Sequence, residues 1–148
     1  YYLPYRAAIY GDARIYNDTW GIKAQNVKIG YIHPIEDDWI FEVFLRHYKQ
    51  DKADFYQDLF SRPDEFNFMA RDKEMSTYTG LTAGISVSYE WQFSQTAIFK
   101  KSAVHFEWDY MKFDYDDFRD ATAQTPVGEE PLFGFSANVL RIFASIWY

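Results

Sequence analysis

The stretch FGFSANVLRIFASIWY, residues 133 to 148, constrains the fold more than any other part of the chain. Leu140, Ile142, Ala144, Ile146 and Tyr148 occupy every second position, with Arg141, Phe143, Ser145 and Trp147 between them. A period of two belongs to a strand whose two faces meet different surroundings. One face of this strand is apolar throughout, and the other carries a charge.

The same alternation recurs upstream. Residues 5 to 16 set Tyr5, Ala7, Ile9 and Ile15 against Arg6, Asp12 and Arg14. Strands are further expected near 20–33, 39–50, 75–93 and 98–113, the clearest being Leu81, Ala83, Ile85, Val87, Tyr89, Trp91 and Phe93 against small and polar residues. Short turns separate some of them: NDTW at 17–20, HPIEDD at 33–38, where Pro34 withholds a ladder donor and pairing is expected to stop, and a turn around Ser94 and Gln95. Two connections are long, 51–74 and the acidic 114–132, lengths that mark functional or structured loops.

No apolar run reaches the ~20 residues of a transmembrane helix, so a membrane span must be built from strands. Aromatic residues make up 22% of the chain, mostly Tyr and Phe, and rings with a wet edge suit a membrane interface. The expected fold is therefore all-β: one segment, 1–148, of an antiparallel transmembrane β-barrel with six up-and-down strands. Single-chain barrels of this kind start at about eight strands, so this one is read as incomplete, its remaining strands lying in a missing upstream part or in other chains. The chain begins at Tyr1 with neither an initiator Met nor a leader, and is accordingly expected to be processed or incomplete. Alternation of short turns with long loops, the short first turn apart, assigns sides, with 51–74 and 114–132 extracellular and the turns at 34–38 and 94–97 periplasmic. A net charge of −7, with Lys and Arg dispersed, leaves no surface for nucleic acid. Cysteine is absent, which removes disulfides and thiolate chemistry.

The words LPYRAAIYGDARIYNDTWGI, KADFYQDLF, MARDKEMST, FDYDDFRD and ANVLRIFASIWY together resemble the C-terminal half of Gram-negative outer-membrane β-barrel proteins described only as a domain of unknown function. The terminal strand itself is similar to the signal by which such barrels are inserted, here Ile142, Ala144, Ile146 and Tyr148. The resemblance implies a location in the bacterial outer membrane, a longer parent protein with a cleaved signal, and as partners the lipid bilayer and the barrel assembly machinery. Other chains could complete or occupy the barrel. It brings no catalytic motif.

Parity places Arg6, Arg14, Lys28, Glu42, Arg46, His105, Glu107, Asp109 and Arg141 on the lumen face. His105, Glu107 and Asp109 at spacing two could aim at one cation, but an ionic network with the five basic residues is the reading preferred. Arg141 is expected to pair with Glu107 or Asp109. Asp114, Asp116, Asp117 and Asp120 could offer oxygen ligands to Ca²⁺, yet their spacing does not fit an EF-hand, and a solvated loop is preferred, with which Arg62, Arg71 and Lys73 could pair to cap the barrel mouth. No cofactor is otherwise expected. His47, near Thr77 and Thr79, is the one candidate for nucleophilic chemistry, but G-x-S-x-G is absent and no catalytic set is read. Trp39, Trp91, Tyr31 and Tyr89 form an expected periplasmic aromatic girdle, with Tyr110 at the other rim. The functional expectation is an outer-membrane, porin-like channel, transporter or scaffold. The alternatives are a barrel enzyme with a site at the outer rim, or a soluble ligand-binding barrel.

Overall fold

The computed structural model describes residues 1–93, 100–126 and 128–148. Six strands follow one another in the chain and lie side by side in the same order: β1 (Ala8–Asn17), β2 (Lys23–Ile35), β3 (Trp39–Gln50), β4 (Tyr78–Gln92), β5 (Lys101–Arg119) and β6 (Leu132–Trp147). Every neighbouring pair is antiparallel. The sheet is open, and β1 and β6 do not pair with each other.

Register fixes the faces, because residues directly opposite on paired strands point the same way. One row across all six strands runs Ile9, Tyr31, Val43, Ile85, Trp108 and Leu140. Another runs from His33 through Phe41, Val87 and Phe106 to Ile142. These side chains make one continuous apolar face that nothing else in the described chain covers; Ile142 is 68% exposed and Leu45 48%. The intervening residues make the opposite, polar face.

Several boundaries differ from the sequence reading. The first strand starts at Ala8 and not at 5, because Arg6 sits at φ 66°, a left-handed backbone that breaks extended structure. The second runs through Pro34 to Ile35, which faces Trp39. Pairing with β1 has already stopped at Ile32, so the missing donor interrupts no ladder on that side. The fourth starts at Tyr78, since Lys73–Met75 form a short 3-10 turn capped by the Asp72 carboxylate. The fifth extends to Arg119, which shortens the acidic connection to 120–131. The turn expected at Ser94 and Gln95, and the expected start of the fifth strand at 98, lie outside the described residues.

The connection 51–77 is not an irregular excursion. Ala53 and Tyr56 are fully buried with Ile22, and Phe55, Met75 and Phe118 pack against them, forming a small core. Tyr56 donates from its hydroxyl to the Asp117 carbonyl at 3.1 Å, and burial pushes that hydroxyl above the usual tyrosine range. Gln50 donates to the carbonyls of Glu74 and Ser76 at 2.8 and 3.1 Å. Gly21, at φ 85°, lets the 18–22 turn approach so closely that a Cβ there would stand 2.3 Å from the Asp54 carboxylate. Three connections therefore gather at one end of the sheet, opposite the end that carries the short turn after Ile35.

Candidate functional site on the polar face

Eight of the nine residues expected on the lumen side lie on the polar face. Lys28 opposes Arg46 in one row; Glu42, Ser86, Glu107 and Arg141 make another. Arg6 is the exception. It sits before β1 and pairs with Asp37 at 3.3 Å, both groups well exposed, a pair that contributes little to stability.

Arg141 is held in a fork. Its Nε reaches Glu107 at 2.9 Å and its Nη2 reaches Asp109 at 2.7 Å, so both carboxylates on the neighbouring strand engage one guanidinium. His105 is occupied elsewhere: its Nδ1 lies 2.7 Å from the Ser88 hydroxyl, and its ring stacks on Phe143 at 4.5 Å. Of the three residues at spacing two, Glu107 and Asp109 thus share one partner and His105 has another. Among the described residues no group of three or more His, Asp or Glu side chains is arranged to hold a metal ion.

Across the face, Tyr10 donates to Glu42, and the Lys28 ammonium lies 3.8 Å from that carboxylate. The same ammonium sits 3.9 Å from the Phe44 ring centre and 5.2 Å from that of Tyr10. Arg14 pairs with Asp12 on its own strand at 3.0 Å. Arg46 donates from Nε to the neutral Asn26 Oδ1 at 2.6 Å. These side chains, Glu42 excepted, border a groove of about 570 Å³ that extends over β1 to β6.

The clustering of aromatic rings on this face escaped the sequence reading. Tyr48 and Tyr78 lie 5.4 Å apart, Tyr78 and Phe113 6.2 Å, and Phe113 stacks on Phe135 at 5.0 Å. Glycines make room for them: a Cβ at Gly30 would strike the Tyr10 ring, one at Gly84 the Phe44 ring, and one at Gly80 the Phe113 ring. A glycine facing an aromatic across a strand pair was the signal available in the sequence. It needed the register to be read.

The acidic run divides among local tasks. Asp114 accepts from Lys112 at 2.8 Å, Asp117 from the Thr77 amide at 2.8 Å, and Asp120 from the Thr122 amide and hydroxyl at 2.9 and 2.6 Å. The Thr122 bonds hold the Asp120 carboxyl below the usual carboxylate range. Asp116 uses its backbone, donating to the Thr77 carbonyl at 2.9 Å. Arg71 pairs not with this run but with Asp58 at 3.2 Å, and it also donates to the Arg119 carbonyl. Lys73 lies near Glu74 and over the Phe133 and Phe135 rings. Arg62 makes no ion pair among the described residues.

On the apolar face, His47 stands between Val27 and Leu81 in its row, while the Thr77 hydroxyl accepts from the Lys52 amide. Trp39, Tyr89 and Trp91 cluster at the end bearing the short turn, with ring centres 4.7 and 5.8 Å apart. Tyr31 hydrogen bonds through its hydroxyl to His33 Nδ1 at 2.8 Å, and Tyr110 lies toward the other end, opposite Ala83. Ile142, Ala144 and Ile146 lie on this face, and Tyr148 follows the strand, 91% exposed.

Residues 1–121 match the model of a family described as a protein of unknown function, DUF3570. No curated protein and no solved structure matches the chain.

Proposed function

We propose a function from the two-faced sheet, because the chain belongs to the DUF3570 family, whose description assigns no activity. The sheet is a wall of an outer-membrane β-barrel, with its apolar face in lipid and its polar face lining a lumen. The barrel serves as a channel, transporter or scaffold. The observation that carries this reading is the uncovered apolar face, six strands wide. Six strands at ~4.8 Å spacing extend about 24 Å across, far more apolar surface than a soluble monomer leaves in one patch. Along β4 the apolar residues run from Leu81 to Trp91, about 34 Å at ~3.4 Å per residue. Tilted by ~40°, that length projects to about 26 Å, close to the ~25 Å apolar band of such barrels.

Free backbone edges in hydrocarbon cost several kcal/mol for each unpaired group, so strands from outside residues 1–148 must close the barrel. They come from elsewhere in the same protein or from other chains. In this arrangement Ile142, Ala144, Ile146 and Tyr148 form the lipid-facing part of an insertion signal, read by the assembly machinery. The side-assignment puts 51–77 and 120–131 outside the cell.

The test is extraction of the full-length protein. It is expected to require detergent and to migrate differently on gels before and after boiling. Recovery in detergent-free buffer contradicts the proposal.

A further inference from the structure

On the barrel reading just given, we propose that the groove around Arg46 binds small phosphorylated sugars, with Arg46 gripping the phosphoryl group. The first ground is charge accounting. Each of the other cations on the described polar face has a carboxylate: Arg14 has Asp12, Lys28 has Glu42, Lys101 has Glu90 at 2.6 Å, and Arg141 has two. Arg46 meets only the neutral Asn26 oxygen. That bond uses Nε and leaves both terminal nitrogens of an exposed guanidinium to a ligand. A planar fork of donors matches phosphate oxygens in pairs.

The second ground is position. Three depressions open on this face, of about 570, 260 and 120 Å³, and Arg46 borders all of them. Arg14 borders two, so a second guanidinium stands beside the first.

The third ground is what lies next to the charge. The smallest depression is walled by Tyr48, Tyr78 and Phe113, the aromatic group made possible by Gly80. Ring faces accept the apolar C–H face of a sugar by dispersion contact. A ligand with a ring at one end and a phosphoryl group at the other spans the two features. Free phosphate engages only one of them.

The experiment uses the full-length protein folded in detergent micelles and isothermal titration calorimetry with glucose 6-phosphate, inorganic phosphate and glucose. Glucose 6-phosphate is expected to bind more tightly than phosphate, and glucose least. Arg46→Met should weaken glucose 6-phosphate by roughly tenfold or more, the scale of one lost charge-assisted pair. Arg46→Lys should fall between, and Arg6→Met, remote from the groove, should match the wild type. Tyr78→Ala should abolish the preference for glucose 6-phosphate over phosphate. Binding by Arg46→Met as tight as by the wild type overturns the inference, as does a wild type that binds no anion. Gel mobility before and after boiling is read on the same samples. A protein lacking the shift contradicts the barrel reading, and the titration still decides the anion site by itself.

Discussion

At Gly84 an added Cβ would stand 2.2 Å from Phe44 and 2.5 Å from the Asp109 carboxylate that holds Arg141. At Gly11, on the apolar face, the nearest atom would be 3.8 Å away. Gly84→Ala should therefore overpack the polar face and cost about 1–3 kcal/mol, while Gly11→Ala should be neutral or slightly stabilising. Urea unfolding of the detergent-folded protein measures both. The two faces can also be separated by charge. Ile142→Arg puts a cation on the apolar face and should cost about 2–4 kcal/mol near the middle of a bilayer, whereas Ser145→Arg, on the polar face, should cost much less. Folded yield in membrane fractions reads the difference, and equal tolerance of both would remove the facing assignment.

At the scale of elements, the 51–77 connection behaves as a small folded unit on the end of the sheet. Tyr56→Phe removes one bond from a buried hydroxyl to the Asp117 carbonyl and should destabilise this unit by about 1 kcal/mol. Amide exchange should rise across 51–77 while the strands stay protected; equal loosening of the sheet would contradict the account. The 120–131 connection carries a pH dependence. The Asp120 carboxyl is held below its usual range by the Thr122 donors, so its contribution is present above the unfolded carboxylate pKa of about 4 and is lost as pH falls through the lower folded value. Protection of the Thr122 amide, taken relative to the intrinsic exchange rate at each pH, should fall on acidification in the wild type and be absent at every pH in Asp120→Ala.

Strand parity was legible because alternation is local: Ile142 and Arg141 announce their faces without knowledge of any partner. The end of β5 was not. Asp114, Asp116 and Asp117 read as a solvated loop by composition, although Phe113 and Tyr115 keep the period of two; Lys112, two residues away, holds Asp114, while the backbone of Thr77, from a distant part of the chain, holds the Asp117 carboxylate and the Asp116 amide. The buried group of Ile22, Ala53 and Tyr56 was equally hidden, because it joins two connections separated by a whole hairpin. Ring-to-glycine contacts such as Phe44 with Gly84 depend on register, which the sequence leaves uncertain by a residue or two.

For the whole molecule, the central claim is that one face of this sheet meets lipid and the other meets water. Residues 1–148 contain no cysteine, so a single labelled cysteine can be placed anywhere in them once cysteines elsewhere in the full-length protein are replaced. Val43→Cys, Ile85→Cys and Phe106→Cys lie on the apolar face, and Thr82→Cys, Ser86→Cys and Met111→Cys on the polar one. In the full-length protein reconstituted into liposomes, the first three labels should relax strongly with dissolved oxygen and weakly with a water-soluble nickel chelate. The second three should do the reverse. Labels at positions 43, 85 and 106 that the nickel chelate reaches as readily as those at 82, 86 and 111 would contradict the account.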